Sequence, residues 1–251
     1  MNTCSIVIPC YNEAARMNAR SYLDLLVHPD VKIILVDDGS TDDTWLCFEA
    51  IVRNAPANRV KLLRMDKNVG KGEAVRAGLN LAIKENSDVV GYLDADLATP
   101  ASELLRMYEQ LNTCDALVLL GSRVKLLGYE ISRSVLRHYL GRLFATLASL
   151  LLNLPVYDTQ CGAKLFLVTP ILVRALSQSF HSKWAFDVEL LGRLHRSLLA
   201  VGSFNSKSFC EVPLHIWRDM GGSKVKPLAA IKATAELFLI AWKLRQYCKL
   251  I

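Results

Sequence analysis

Short apolar runs alternate with longer, mixed stretches along the first half of the chain. The runs are rich in Val, Ile and Leu, as buried strands are, and the stretches between them are long enough for helices. The predicted elements are strands at 4–9, 31–36, 60–64, 89–93 and 117–120, and helices before 27 and at about 43–52, 73–84 and 100–111. This alternation indicates βαβ units around a mostly parallel sheet, an α/β fold.

The pattern changes after Arg123. The elements predicted there are a helix over 132–152 that starts basic and becomes apolar, a loop running into a strand at 158–166, a helix opening at 184, a strand at 209–213 and a basic, glycine-containing loop at 217–226. We divide the chain into one α/β domain over 1–226 and a basic C-terminal helix over 227–251. That helix mixes apolar, aromatic and basic residues, which suits an amphipathic helix lying on a membrane surface. The alternative is that it docks on the protein's own core.

Composition and charge narrow the class of partner. A hydrophobic content of 52% with 22% charged residues indicates a globular chain with a full core. The mean hydropathy of +0.24 suggests contact with something apolar. The net charge of +6 is concentrated at 123–142 and beyond 218, which favours anionic partners such as phosphates or an anionic membrane, although solvated basic faces are the alternative. No aromatic-basic platform or helix-turn-helix pattern supports nucleic acid as a partner.

The cysteines and the termini favour a cytoplasmic protein. The seven cysteines are irregularly spaced and include no CxxC pair, so reduced thiols are expected. The N-terminus enters a strand at once, without the pattern of a signal peptide. No apolar stretch reaches 18 residues, so no transmembrane helix is predicted.

Two carboxylates follow the strand at 89–93. Asp94 and Asp96 are two residues apart, so on an extended backbone both point to the same side. Because like charges repel at this distance, a cation between them is the favoured interpretation, and oxygen ligands suggest Mg²⁺ or Mn²⁺ rather than zinc. Such a cation could stabilise a diphosphate leaving group. The alternative is a pair of solvated aspartates at a strand end.

The loops after the first four strands should meet near this pair, at the carboxyl edge of the sheet, where ligands of open α/β sheets bind. One of these loops, 70–72, places Lys71 just before a helix, where free N–H groups and an ammonium favour a phosphate. It is not a Walker loop, because Gly72 stands where Ser or Thr would be. A plain helix start is an equal alternative.

Three motifs, at 9–13, 36–40 and 94–96, resemble those of the inverting family 2 glycosyltransferases of the GT-A fold. Stretches at 158–166, 184–190 and 222–224 look like those of the dolichyl-phosphate β-glucosyltransferases and their prokaryotic polyprenyl-phosphate relatives. The resemblance covers nearly the whole chain. It implies a Rossmann-like, nucleotide-binding, mostly parallel sheet flanked by helices, with 1–226 as the catalytic domain.

The chain departs from that subgroup in two respects. No N-terminal membrane anchor of the eukaryotic kind is present in the sequence, and Ala163 stands where Phe is usual. Ala98 stands where dolichyl-phosphate mannose synthases have a Gln that can assist the metal, which favours the glucosyl type.

The resemblance also implies roles for individual residues. The nucleotide-sugar would be bound by Pro9, Tyr11, Glu13, Asp37, Asp38, Lys71, Asp94 and Ala95. The metal would be held by Asp94 and Asp96. The acceptor phosphate would be clamped by Arg123, Arg133, Arg137 and Lys224. The residues expected to be catalytic are Asp96, Asp187 and Arg123. Glu189 is second to Asp187, because residues two apart on a helix point in different directions.

We therefore expect an enzyme that moves a hexose, glucose as first choice, from a UDP-sugar to a polyprenyl phosphate. Dolichyl and undecaprenyl phosphate are both candidate acceptors, and the protein would sit on the cytoplasmic face of a membrane as a peripheral protein. One alternative is a family 2 enzyme acting on a saccharide or other hydroxyl, with Asp187 as the base. A second is a nucleotide- or membrane-binding module without activity.

Overall fold

The computed structural model describes the backbone of residues 2–132, 135–219 and 227–247, and their side chains except those of 135–138, 140 and 227–234. The strands are β1 Cys4–Cys10, β2 Val31–Asp37, β3 Val60–Arg64, β4 Val89–Leu93, β5 Val118–Ser122, β6 Glu130–Ser132, β7 Ala163–Leu167, β8 Phe209–Pro213 and β9 Ile216–Arg218. The helices are α1 Ala19–Leu23, α2 Thr44–Asn54, α3 Lys71–Lys84, α4 Ala101–Leu111, α5 Val135–Leu152, α6 Pro170–Leu176, α7 Phe186–Ala200 and α8 Pro227–Tyr247.

Seven strands form one sheet in the order β3-β2-β1-β4-β7-β5-β8. The first four of these run parallel, as the alternation of strands and helices predicted. β7 lies antiparallel between β4 and β5, and β8 extends the sheet parallel to β5. The register places Cys10 beside Asp37 and Val7 beside Tyr92, so the loops after β1, β2 and β4 leave from one edge.

Each face of the sheet supports its own core. Alternate strand residues such as Val7, Ile34 and Tyr92 pack beneath α3, α6 and α7, and the C-terminal helix joins that core. Their neighbours, such as Ile6 and Ile33, pack with α1, α2 and α4 on the opposite face. Because both faces are covered, β1, β2 and β4 are buried along almost their whole length, which is why they form continuous apolar runs.

Three elements were not predicted from the pattern. The strands β6 and β9 pair with one another outside the main sheet. Each has only three residues, which is too short to show an alternation of apolar and polar positions. Helix α6 has a common N-terminal capping pattern: the Thr169 side chain accepts from the Leu172 N–H, and Pro170 occupies the first turn. Helix α3 begins at Lys71, two residues before its predicted start.

The described part of the C-terminal helix docks on the core. Leu237, Ile240 and Leu244 are almost fully buried against α5 and α7. Phe238 and Trp242 lie on the outer side and are 60% and 52% exposed. Apolar side chains therefore occur on both sides of the helix, and the predicted amphipathic character is not confirmed. No helix in the described ranges is long and apolar enough to cross a membrane.

The two sides of α8 should respond differently to truncation. Ile240→Ala removes buried apolar contacts and leaves a cavity, so we expect it to lower the free energy of unfolding by about 2–4 kcal/mol. Phe238→Ala, on the exposed side of the same helix, should change it by less than about 0.5 kcal/mol. Urea unfolding followed by circular dichroism measures both. Equal small effects would mean that α8 does not contribute to the core.

Candidate active site

The loops after β1 and β2 are tied together at the carboxyl edge of the sheet. The Asn12 N–H donates to Ser40 Oγ at 3.0 Å, and Asn12 itself accepts from the Thr41 N–H at 2.8 Å. Asn12 has a φ of +52°, a left-handed conformation that Asn tolerates better than most residues. The cross-links position the predicted residues Pro9 and Tyr11, of which Pro9 is buried and Tyr11 is 37% exposed.

The third predicted residue of this loop, Glu13, is mostly buried and already paired. Its carboxylate accepts two bonds from the Arg16 guanidinium, at 2.8 and 2.6 Å. Its backbone N–H donates to Thr44 Oγ1 at 2.9 Å, which ties the loop to the start of α2. Glu13 therefore shapes the loop and presents Arg16 beside it.

The two carboxylates after β2 have different surroundings. Asp38 accepts from the backbone N–H groups of Val69 and Gly70 at 2.8 and 2.9 Å, which holds the loop before α3. Burial raises the pKa of Asp38 despite those two bonds. Asp37 is fully buried, and its Oδ1 accepts from the Ser40 N–H at 2.8 Å. Its Oδ2 accepts no hydrogen bond from the described residues and lies 3.5 Å from Nε of the Arg64 guanidinium, which leaves a buried acceptor at the carboxyl edge of the sheet.

The carboxylates after β4 lie beside the start of α3. The Lys71 ammonium is 2.5 Å from Asp94 Oδ1, and both side chains are partly exposed. Asp96 Oδ1 accepts from the Ala98 N–H at 3.0 Å. The carbonyl of Ala95, between the two aspartates, accepts from the Tyr22 hydroxyl at 2.5 Å, which anchors the loop to α1. The predicted convergence of Asp94, Asp96 and Lys71 is therefore observed.

The electrostatics of this pair are unequal. Burial opposes ionisation of Asp94, but the charge of Lys71 outweighs it, so the pKa of Asp94 lies below its usual value. Burial and then the charge of Asp94 raise the pKa of Asp96. The positive charges of Lys71 and Arg16 therefore do not offset the effects of burial and of Asp94 on the ionised form of Asp96.

These two aspartates could supply some of the ligands of a hard cation. Their carboxylate oxygens are the ligand type that Mg²⁺ and Mn²⁺ prefer, and a cation would relieve the repulsion that raises the pKa of Asp96. Within the described ranges, no group of three His, Cys, Asp or Glu side chains could hold a metal. Two carboxylates with the remaining ligands from phosphate and water is a common arrangement for Mg²⁺. Asp94 and Asp96 could therefore hold a cation together with a bound diphosphate.

Arg123 follows β5 and is paired with a residue that the sequence analysis left without a role. Its guanidinium donates to Asp158 Oδ2 and Oδ1 at 2.7 and 2.8 Å, and its backbone N–H reaches the same carboxylate. Glu211 of β8 accepts from the N–H groups of Tyr157 and Asp158 at 2.7 and 2.8 Å. The guanidinium carbon also lies 5.4 Å from the centre of the Trp217 ring. Two of its donors are thus already engaged.

Asp187 is in the first turn of α7 and is buried, with 4% exposure. Its Oδ1 accepts from the Lys164 ammonium at 2.7 Å and from the Tyr92 hydroxyl. Glu189 points elsewhere, to His181 and Arg193, as the helical spacing predicted. Burial and then the charge of Asp187 raise the pKa of Tyr92, so the phenol remains a donor.

Three predicted residues lie outside the described part of the site. Arg133 and Lys224 fall among residues that the structure does not describe, and the side chain of Arg137 is not described either. Their assignment to an acceptor phosphate stays a prediction.

The sequence analysis gave no role to Asp158, Lys164, Tyr92 or the partner carboxylate Glu211. Asp158 and Lys164 are the two charged residues within the stretch 158–166, and that pattern was available as a signal. Cys161, in the same stretch, is fully buried, and burial raises the pKa of its thiol to about 11.

The pair of Arg123 and Asp158 generates a stability prediction. Asp158→Asn leaves a nearly buried guanidinium without its counter-charge, so we expect a loss of about 2–4 kcal/mol at neutral pH. Burial opposes ionisation of Asp158, but Arg123 outweighs it and holds the pKa of Asp158 well below its usual value. The unfolded chain therefore binds the proton first, and the difference between wild type and variant should shrink only as pH falls below about 4.

Urea unfolding of both proteins between pH 7 and pH 3 measures this difference. Glu130→Gln is the matched control, because Glu130 and Arg218 form an ion pair in which both side chains are more than half exposed. That control should change stability by less than about 1 kcal/mol at any pH. A constant difference for Asp158→Asn down to pH 3 would contradict the assignment.

Comparison with known proteins agrees with this geometry. Residues 5–171 match the profile of glycosyl transferase family 2. The chain is 32% identical to the dolichyl-phosphate beta-glucosyltransferase ALG5C of Trichomonas vaginalis, over 94% of this chain and 70% of that protein. It is 30% identical to the human dolichyl-phosphate beta-glucosyltransferase, over 98% of this chain and 79% of that protein.

The fold is also similar to that of a solved structure. Glucosyl-3-phosphoglycerate synthase from Mycobacterium tuberculosis, in complex with Mn²⁺, UDP and glucosyl-3-phosphoglycerate, superimposes with a TM-score of 0.65 at 19% identity, covering 97% of this chain and 80% of that one. This likeness supports the predicted GT-A fold. The family match extends from β1 into α6 and includes the loops that carry Asp37, Asp38, Asp94 and Asp96. The chain is therefore a member of glycosyl transferase family 2.

Proposed function

We propose that this protein transfers a hexose, glucose as first choice, from a UDP-sugar to a polyprenyl phosphate with inversion at the sugar. The products are a lipid-phosphate sugar and UDP. The observation that carries the proposal is the placement of Asp94, Asp96 and Lys71 together at the carboxyl edge of the sheet, the same edge at which β2 ends in Asp37. The names of the relatives supply the sugar and the lipid class.

The donor's nucleoside is assigned to the loops after β1 and β2. Asp37 Oδ2 accepts no hydrogen bond from the described residues and faces only the Arg64 guanidinium at 3.5 Å, so it can accept from a base N–H or a ribose hydroxyl. The exposed ring of Tyr11 can stack on the base. Asp38 acts through the backbone it holds, because both of its bonds go to the loop before α3. Pro9 and Glu13 border this region and keep its shape.

The diphosphate is assigned to Lys71, Asp94, Ala95 and Asp96. Lys71 and Asp94 form a partly exposed pair, and such pairs contribute little net stability, so the ammonium can move to a phosphate oxygen. Asp94 and Asp96 would then hold the Mg²⁺ or Mn²⁺, which supplies charge neutralisation for the leaving UDP. Lys71 is the first residue of α3, and the free N–H groups of a helix N-terminus favour an anion nearby.

The acceptor phosphate is assigned to the basic side of the site. Its oxygen is already anionic, so the reaction needs positive charge and alignment rather than a strong base. Arg123 is held by Asp158, which fixes its direction, and it retains donors beyond the two that Asp158 uses. Arg133, Arg137 and Lys224 complete this assignment.

The alternative, a hydroxyl acceptor with Asp187 as base, is less well supported. Asp187 is buried, and its Oδ1 already accepts from an ammonium and a phenol, so that oxygen is occupied by protein donors rather than open to an acceptor hydroxyl.

An assay with labelled UDP- and GDP-sugars tests the proposal. Each donor is incubated with Mg²⁺ or Mn²⁺, with and without a polyprenyl phosphate in detergent, and label is followed into the organic phase. We expect EDTA-sensitive transfer from UDP-glucose that depends on the lipid. Donor consumption with a soluble acceptor and no lipid product would contradict the proposal.

Variants in the same assay locate the chemistry. Asp96→Ala should lower kcat by at least about 100-fold, because the charge on the leaving diphosphate is no longer stabilised. Asp115→Ala, an exposed acid after α4, is the control and should retain wild-type turnover. Normal activity of the Asp96 variant would exclude the assigned role.

The lipid acceptor requires the enzyme to reach a membrane. Phe238, Leu239 and Trp242 form an exposed apolar strip on α8, and Lys243 lies against the Trp242 ring with 5.1 Å between its ammonium and the ring centre. Leu143 and Leu150 are exposed on α5, which packs beside α8. Apolar and basic side chains on one surface suit peripheral contact with an anionic membrane. We assign this contact to the cytoplasmic face.

Removal of the strip should weaken membrane binding without unfolding the protein. The double variant Phe238→Ala with Trp242→Ala should lower partitioning onto vesicles of phosphatidylglycerol by about tenfold or more, because two large apolar side chains no longer leave water. Leu46→Ala, an equally exposed apolar residue on α2, is the control. Vesicle sedimentation measures both. Equal binding by the two variants would place the membrane contact elsewhere.

A further inference from the structure

A buried series of contacts links helix α7 to the turn before β7. Lys164 is the second residue of β7, opposite Tyr92 of β4 and Leu120 of β5, and its side chain is completely buried. Its ammonium donates to Asp187 Oδ1 at 2.7 Å and to the Cys161 carbonyl oxygen at 2.6 Å. The Lys164 ammonium also lies 5.2 Å from the centre of the Tyr92 ring, whose hydroxyl donates to the same Asp187 oxygen.

The turn that Lys164 holds contacts Asp94 in two ways. The Gly162 carbonyl oxygen accepts from the Asp94 N–H at 3.1 Å. Gly162 also has no side chain where the Asp94 carboxylate lies: a Cβ built on it would be 2.0 Å from Asp94 Oδ2. The turn and the Asp94 carboxylate are thus in close contact. A shift of the turn toward Asp94 would therefore move the carboxylate.

The ion pair of Lys164 and Asp187 is not explained by a gain in folding stability alone. Removing an ammonium and a carboxylate from water is costly, and apolar residues of similar size often stabilise a core equally well. The first turn of α7 favours the negative charge of Asp187, and the two donors on its oxygen fix its direction. What the pair achieves that apolar residues would not is a hydrogen bond to the Cys161 carbonyl.

We propose that Lys164 and Asp187 are positioning residues that hold the turn at 161–162 against Asp94, and so set the direction in which the Asp94 carboxylate meets the donor diphosphate and its cation. Asp187 acts through Lys164, and it takes no proton from an acceptor. The part of this proposal that concerns the diphosphate and cation rests on the proposed function. The contacts themselves belong to the free protein and are testable without any ligand.

The first readout is amide hydrogen exchange in the metal-free protein, followed by NMR. The double variant Lys164→Met with Asp187→Leu removes both charges together, so no buried charge remains unpaired. Loss of the bond to the Cys161 carbonyl should speed exchange of the Asp94 amide by about tenfold, while amides of β2 keep their rates. Unchanged exchange at Asp94 in the folded variant would overturn the proposal.

The second readout is the affinity for Mn²⁺ in the presence of UDP, measured by electron paramagnetic resonance of the free ion. Loss of residues that orient a metal ligand typically weakens binding by about 10–100-fold, and we expect a loss in this range. Affinity within twofold of wild type would overturn the proposal. Failure of the wild-type protein itself to bind Mn²⁺ with UDP would contradict the proposed function, and the exchange measurement would still decide the role of the turn.

Two further variants complete the design. Ile51→Val truncates a fully buried residue on the opposite face of the sheet and controls for a general loss of stability, so it should leave both readouts unchanged. If the double variant does not fold, Asp187→Asn keeps the shape of the side chain and removes the charge that holds Lys164. It should shift both readouts in the same direction, and no shift in either would overturn the proposal.

Discussion

Negative charge gathered at one edge of a sheet is the constraint on which the rest of this structure depends. Parallel strands deliver their loops to a common edge, and in this chain those loops carry Asp37, Asp38, Asp94 and Asp96. Carboxylates brought together repel, so each needs a positive or N–H partner of its own. Backbone N–H groups satisfy Asp38, and the Lys71 ammonium faces Asp94. Asp96 accepts one backbone N–H bond, and burial and then the charge of Asp94 raise its pKa.

The ion pairs of the site are graded by burial. The pair of Lys71 and Asp94 is partly exposed, the pair of Arg123 and Asp158 is nearly buried, and Lys164 with Asp187 is buried. An exposed pair can exchange partners at little cost, whereas a buried one is held by the penalty of leaving either charge alone. This gradient suits the proposed site, in which Asp94 can exchange Lys71 for a ligand while the buried pair of Lys164 and Asp187 keeps its contacts.

The second half of the chain supplies most of the fixed groups. β7 enters the sheet antiparallel between β4 and β5, which brings the stretch 158–166 alongside the aspartates that follow β4. Helix α7 contributes Asp187, which pairs with Lys164 of β7, and α8 packs on α7 and α5 with Phe238, Leu239 and Trp242 exposed. Strands from the first half of the chain and helices α5, α7 and α8 from the second half thus contribute to one of the two cores, on the same face of the sheet.

Much of the fold and part of the site follow from the sequence alone. The alternation of apolar runs and helical stretches determines the four parallel strands and the edge at which their loops meet, because side-chain periodicity reports burial directly. The spacing of Asp94 and Asp96 likewise predicts a paired carboxylate site. Only the tertiary structure decided the antiparallel insertion of β7, the docking of α8 and the partners of Arg123 and Asp187. Each of these joins residues far apart in the chain, such as Lys164 with Asp187 and Tyr92, and periodicity contains no information about which distant charges will share a buried space.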